Sequence, residues 1–179
     1  MFKSVIVLLA LVVLPAQTAL AAEKLHLGKP ADLELVKAWD ISIPPDGSGL
    51  PSGQGSVSEG AVVYEAKCVI CHGVAGAGQP ADRLTGGIGS LASPQPVKTV
   101  ASYWPYATTL FDYIRRAMPI NAPRSLTGHE VYALCAYILS IDGIVPKNAV
   151  LDAKTLPKVK MPNRNGFVNV WNSPVRKPE

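Results

Sequence analysis

The chain has 179 residues, of which 48 % are hydrophobic and 17 % are charged, and its formal net charge is +4. This composition excludes a disordered or collagen-like chain and indicates about one globular domain, large enough to bury a core. The three cysteines are an odd number, which argues against a framework of disulfides alone.

The N-terminal segment has the pattern of an export signal. Lys3 precedes an unbroken apolar run over residues 5–14, and small residues suited to a signal peptidase follow at 19–21. This run is too short to cross a bilayer core of about 30 Å as a helix. We therefore expect a signal peptide over residues 1–21 that is cleaved, rather than an uncleaved membrane anchor. The mature protein is expected to be soluble in the periplasm.

Residues 22–57 are predicted to form an N-terminal arm. A short helix is indicated over residues 31–39, and the stretch IPPDGSGLPSGQGS follows it. Proline and glycine punctuate this stretch too often for a regular element. We expect irregular chain lying over a surface of the domain.

Residues 58–145 form the predicted domain, and its first helix has a clear start. Ser56 and Glu59 have the spacing of a capping box, in which each residue bonds the other's backbone amide. Apolar residues follow at helical intervals: Val62, Val63, Ala66 and Val69. The pattern predicts a helix that leads directly into CVICH.

Two more helices are predicted in this domain. One covers residues 108–117 and ends before Pro119, because the residue before a proline is pushed out of the helical conformation. The other begins at Thr127, with Glu130 as its capping-box partner, and closes at Gly143. Their apolar stripes are Leu110, Phe111, Ile114 and Ala117, and Val131, Leu134, Cys135 and Ile138. No alternation of period two is long enough for a buried strand, so the predicted class is all-α.

Residues 146–179 form a basic tail with few apolar side chains. Seven basic and two acidic side chains give it a charge of +5, whereas the rest of the mature chain carries nine basic and eleven acidic ones. Such a tail is expected to be a solvated extension or a docking element for a partner. An exported protein is not expected to bind nucleic acid.

The motif Cys68-Val-Ile-Cys71-His72 carries the chemistry. Cys-x-x-Cys-His is the attachment signature of c-type haem: two thiols add to the porphyrin vinyl groups, and the histidine then lies beneath the iron. A redox dithiol would need a βαβ setting, and a zinc site would need a second pair of ligands; neither is present in the sequence. We predict one covalent haem c with His72 as an iron ligand.

The sixth iron ligand decides the function. A methionine thioether saturates the iron and suits electron transfer, whereas an open position allows small molecules to bind. Met118 follows the second helix and is held extended by Pro119, so it is the favoured ligand over Met161, His26 and His129.

These residues resemble class I cytochromes c. Gly60 and Tyr64 match the family's glycine and aromatic pair, Leu134-Cys135-Ala136-Tyr137 matches its last helix, and Leu84-Thr85-Gly86 matches the Leu-x-Gly after the haem motif. The resemblance implies a monohaem fold with an irregular arm and tail. The family's proline, whose carbonyl orients the histidine, is replaced by Asp82, with Pro80 nearby. The carbonyl that orients His72 is therefore left open.

Longer stretches resemble the cytochrome subunit of bacterial sulfane dehydrogenase and the cytochromes of molybdenum sulfite dehydrogenases. They are AWDISIPPDGSGLPSGQGSV, SYWPYATTLFDYIRRAMP and KMPNRNGF. This resemblance implies an electron carrier, not an enzyme, which accepts single electrons from such a dehydrogenase and passes them to a cytochrome or oxidase. It also supports Met118 as a ligand, and it implies that the arm and the tail belong to the fold or to a docking surface. The alternative is a catalytic or ligand-binding haem protein with an open or weak sixth position.

A few other residues are candidates for roles around the haem. Tyr103, Trp104 and Arg115 are candidate partners of the haem propionates, because an aromatic N–H or O–H donor or a guanidinium can bond a carboxylate. Cys135 is expected to be a small buried hydrophobe, rather than a reactive thiol or an intermolecular disulfide.

Overall fold

The computed structural model describes residues 27–169, and the predicted signal peptide lies outside them. Six helices occur in this part of the chain: α1 (Leu33–Trp39), α2 (Val57–Lys67), α3 (Val69–His72), α4 (Val100–Tyr103), α5 (Ala107–Ala117) and α6 (Gly128–Ile141). Two short strands, β1 (Gln54–Ser56) and β2 (Val150–Asp152), form an antiparallel pair. The mainly helical class and the helices at 31–39, 108–117 and from Thr127 agree with the sequence prediction to within two residues.

Both predicted capping boxes are present. At the start of α2, the Glu59 amide donates to Ser56 Oγ at 3.2 Å and the Ser56 amide donates to Glu59 Oε2 at 2.8 Å. At the start of α6, the amides and side chains of Thr127 and Glu130 make the same reciprocal pair of bonds, at 3.2 and 2.8 Å. These bonds satisfy amides that a helix leaves without partners in its first turn, so they fix where the two helices begin.

Helices α2 and α6 cross in close contact because a glycine lies at the crossing. A Cβ atom on Gly60 would lie 1.9 Å from the Ala133 carbonyl oxygen, closer than any side chain permits. One turn further along, the rings of Tyr64 and Tyr137 pack with their centroids 5.1 Å apart. The glycine and aromatic positions singled out in the sequence therefore define this helix pair.

The core surrounds α6, which packs against α2, α5 and both strands. Phe111 and Tyr132 are fully buried, and their rings pack at a tilt of 47° with centroids 4.5 Å apart. Cys135 is also fully buried in this core, which confirms its expected role as a small hydrophobe. Burial raises the pKa of its thiol, so the group stays neutral and is closed to other molecules.

The C-terminal tail differs from the sequence prediction. Strand β2 pairs with β1 of the arm, with Leu151 opposite Gly55, and Leu151, Leu156 and Met161 are all buried in the core. The expectation of a solvated extension was therefore wrong as far as Met161. The strands escaped the sequence analysis because three residues each are too few to show a period-two pattern.

The arm has two parts with different packing. Ile43 is buried in the core, and its amide donates to Asp112 Oδ1 on α5 at 3.0 Å. Helix α1, in contrast, buries none of its residues, and Leu33 and Trp39 are 81 % and 74 % exposed. Within residues 27–169, no helix has both the length and the apolar character needed to cross a membrane.

Candidate haem-binding site

A cavity of about 870 Å³ opens beside the Cys-x-x-Cys-His motif. Residues of α2, α3, α5 and α6 line it, together with residues 81–84, 98–100 and 118–122. Apolar side chains form most of the inner surface: Leu84, Val100, Leu110, Ile114, Leu134 and Ile138. The volume lies within the range of about 300–1,000 Å³ that is usual for cofactor sites.

The cysteines stand at the junction of α2 and α3. The Cys68 carbonyl accepts from the His72 amide at 3.0 Å, so the motif forms one helical turn, and both cysteines line the cavity. Both are free thiols in the described chain. Burial raises the pKa of Cys68 to about 11, and the nearby Lys67 offsets part of this effect. Because both thiols line one cavity, a single bound group can reach both of them.

The main chain fixes the orientation of His72. Its Nδ1 lies 3.0 Å from the Asp82 carbonyl oxygen, and this acceptor requires the proton to be on Nδ1. Nε2 is then the unprotonated nitrogen that can bind a metal. Asp82 thus supplies the carbonyl that the family takes from proline, which answers the question left open by the sequence.

The loop that presents the Asp82 carbonyl is itself bonded to the haem motif. The Ala81 amide donates to the Cys71 carbonyl at 2.8 Å, and the Gly78 amide donates to the His72 carbonyl at 2.7 Å. The histidine and its acceptor are therefore held in one hydrogen-bonded unit.

Met118 lies at the end of α5 and lines the same cavity as His72. It is extended, with φ −119° and ψ 145°, and its amide closes the helix on the Ile114 carbonyl at 3.0 Å. Leu110, Ile114 and Met118 follow one another at four-residue spacing, so one face of α5 points into the cavity.

The other candidate ligands are placed elsewhere or lie outside the described residues. Met161 is 3 % exposed in the core, and His129 is an exposed residue of the first turn of α6. Neither is among the residues that line the cavity. His26 lies outside the described part of the chain.

Of the three candidate propionate partners, only Trp104 lines the cavity, where its ring packs edge-on against Tyr113 at 5.6 Å. The Tyr103 ring packs against Phe167, and its centre lies 5.2 Å from Nζ of Lys98, which lines the cavity. Arg115 follows Phe111 by one helical turn, on the same face of α5. Its positive charge is near enough to Tyr132 to offset part of the rise in the Tyr132 pKa that burial causes. Tyr103 and Arg115 are not among the residues that line the cavity, so their contact with a propionate stays a prediction.

The cationic side chains at the cavity were missed by the sequence analysis. They are Lys67, Arg83 and Lys98, all of which line it. Isolated basic residues carry no periodic or spacing signal, and only the fold brings these three to one opening. Lys67 is paired with Glu130, so a ligand with carboxylates at its edge would find its counter-charges in Arg83 and Lys98.

The donors present at this cavity fit a covalently bound haem. Two thiols stand one helical turn apart, an imidazole nitrogen is free to bind iron, a thioether lines the same space, and the walls are apolar with cations at the margin. Fold and site together define a c-type haem protein.

Comparison with known proteins gives the same class. The family model for cytochrome c matches residues 57–142. A chain in the crystal structure of the sulfane dehydrogenase SoxCD from Paracoccus pantotrophus is 40 % identical, with a TM-score of 0.75; the match covers 81 % of this chain and 72 % of that one. No curated protein matches. The chain belongs to the cytochrome c family and is a haem electron carrier that binds haem c through Cys68 and Cys71.

Proposed function

We propose that this cytochrome carries single electrons in the periplasm, with His72 and Met118 as the two axial ligands of its haem. The haem supplies a one-electron iron couple. Cys68 and Cys71 would hold the macrocycle, and the Asp82 carbonyl would keep the His72 imidazole in the tautomer that binds iron. The apolar walls would limit the access of water, and Arg83 and Lys98 would balance the propionates.

The observation that carries this proposal is that Met118 and His72 line one cavity. A methionine in the sixth position raises the reduction potential and closes the iron to small molecules. We expect the ferric protein to show the weak long-wavelength absorption band that marks methionine ligation, and the ferrous protein to leave carbon monoxide unbound. Met118→Ala should lose the band and take up carbon monoxide.

Met161→Leu is the matched control for this experiment, because Met161 is the other methionine of the mature chain and is buried in the core. The control should keep the band. Rapid carbon monoxide binding by the unaltered protein would contradict methionine ligation and favour a ligand-binding haem protein instead.

We further propose a donor enzyme of the sulfane or molybdenum sulfite dehydrogenase type and a downstream cytochrome or oxidase. The similarity to a chain of the sulfane dehydrogenase structure supports this choice. Rapid mixing of oxidised cytochrome with the reduced dehydrogenase should give reduction of the haem at a rate that depends on concentration. Absence of reduction, together with failure of the two proteins to co-purify, would remove this partner.

The periplasmic location follows from the predicted export signal. We expect the mature protein in the periplasmic fraction, with a mass that corresponds to cleavage after Ala21 or Ala22. A mass that includes residues 1–21 would contradict the proposed processing.

A further inference from the structure

The last described residues of the C-terminal tail pack on the turn between α4 and α5. The Asn163 side-chain amide donates to the Tyr103 carbonyl at 2.7 Å. The Phe167 ring packs edge-on against the Tyr103 ring at 5.2 Å, and the Arg164 guanidinium lies 4.8 Å from the centre of the Tyr106 ring. Three side chains of residues 163–167 therefore contact one segment, residues 103–106.

This segment connects the tail to the haem cavity. Its outer side carries the tail contacts, while Trp104 lines the cavity on the inner side. Trp104 packs against Tyr113 of α5, and the same helix ends at Met118. The tail is thus linked to the methionine side of the haem through one turn and one helix.

The tail is anchored before it reaches this turn. Leu156 and Met161 are buried, and the short helical turn at Leu156–Lys158 contacts α5. Beyond Met161 the side chains add little buried area: Phe167 is 52 % exposed. Their contacts are concentrated on residues 103–106, which is the arrangement expected of a positioning segment rather than of core packing.

We propose that residues 163–167 are a clamp that holds the turn 103–106 and, through Trp104 and α5, keeps Met118 against the haem iron. The clamp rests on the proposed function, because it acts on the ligand that makes the protein an electron carrier. Asn163 and Phe167 do not line the cavity, so in this proposal they are positioning residues. Without the clamp, a larger fraction of the protein molecules would have no methionine at the sixth position of the haem iron.

The test compares carbon monoxide binding by the full-length ferrous holoprotein with that of the double variant Asn163→Ala, Phe167→Ala. We expect about tenfold more protein with an open sixth position, equivalent to about 1.4 kcal/mol. The reduction potential should fall, because methionine ligation raises it. Phe167→Tyr keeps the ring contact and should behave as the unaltered protein.

A second control separates the clamp from general loosening of the fold. Val131 is fully buried in α6 and does not line the cavity, so Val131→Ala destabilises the fold without touching the turn. At an equal loss of thermal stability, the clamp variant should bind carbon monoxide and Val131→Ala should not. Equal binding by both variants, or no binding by the clamp variant, would overturn the clamp.

The unaltered protein tells the two proposals apart. If it binds carbon monoxide freely and lacks the methionine band, methionine ligation itself fails and the clamp fails with it. If it shows the band while the clamp variant also keeps the band and its potential, only the clamp is overturned.

Discussion

At the scale of single residues, the orientation of His72, the proposed haem ligand, depends on a main-chain group. The acceptor of its Nδ1 proton is the Asp82 carbonyl oxygen, and the loop that carries this carbonyl is bonded back to the Cys71 carbonyl through the Ala81 amide. The family's usual proline offers the same kind of acceptor. What the site needs at this position is a carbonyl in the right place, which residues other than proline can supply.

Asp82→Ala should therefore leave the axial ligation intact. The side chain is exposed, so water and salt screen its charge. We expect an unchanged methionine band and a small rise in reduction potential, well below the ~59 mV that corresponds to a factor of ten for one electron. Spectroelectrochemical titration of the ferric and ferrous protein measures both quantities. A lost band or a markedly lower potential would show that the carboxylate, and not the carbonyl, orients His72.

At the scale of elements, the sequence predicts structure well where the signal is local. Capping boxes and apolar spacing located α2, α5 and α6, and the first of these was predicted to lead into the Cys-x-x-Cys-His motif, where the structure has the separate short helix α3. The sequence did not predict α4, whose capping partner is Ser102 rather than a glutamate, or β1 and β2, which lie far apart in the chain. Their formation depends on long-range pairing, which no local pattern records.

Glu130, which caps the start of α6, also links α6 to α2. Glu130 Oε1 accepts from Lys67 Nζ at 2.7 Å, which ties the last turn of α2 to the first turn of α6. The Lys67 side chain, followed by the Thr127 amide, lowers the pKa of Glu130 below its ordinary value of 4.5. A lowered folded-state pKa contributes stability that is present above pH 4.5 and is lost as the pH falls through the folded-state pKa.

Glu130→Gln should remove this charge while keeping a side-chain oxygen for the capping box. Because the ion pair is partly exposed, we expect a loss of about 0.5 kcal/mol in the free energy of unfolding at neutral pH. The difference from the unaltered protein should disappear in acid, where Glu130 is protonated. Urea unfolding of the holoprotein at several pH values measures this difference in the free energy of unfolding. Glu65→Gln, on the exposed face of α2, is the control. If Glu130→Gln remained less stable than the unaltered protein in acid, the role of the charge would be contradicted.

At the scale of the whole molecule, the segment that follows the predicted domain contributes to its core. The charge and proline content of residues 146–179 indicated a separate tail, yet its buried Leu151, Leu156 and Met161 complete the core. Composition failed here because a few apolar residues, spread over an irregular segment, can bury as well as a helical stripe once the fold brings them to the core. Long-range placement also decides which candidates line the cavity: Trp104 does, and Tyr103 and Arg115 do not.

Substitutions in the exposed helix of the arm and in the buried part of the tail should therefore change the free energy of unfolding by different amounts. Leu156 is fully buried, and Pro157 beside it packs so closely over Gly47 of the arm that a Cβ there would lie 2.4 Å from Pro157 Cγ. Leu156→Ala should lower the free energy of unfolding by about 2–4 kcal/mol, since it leaves a cavity in the core. Trp39→Ala, on the exposed α1, should change it by no more than about 0.5 kcal/mol.

Urea unfolding of the two holoproteins, followed by far-ultraviolet circular dichroism, makes the comparison. The dependence on urea should have the same slope in both variants, because each exposes nearly the same surface on unfolding. If Leu156→Ala were as mild as Trp39→Ala, the tail would be the solvated extension that its composition suggests, and it could not anchor a clamp on the turn that leads to Met118. A large loss in Leu156→Ala alone would establish that the haem domain extends past residue 145 to the buried Met161.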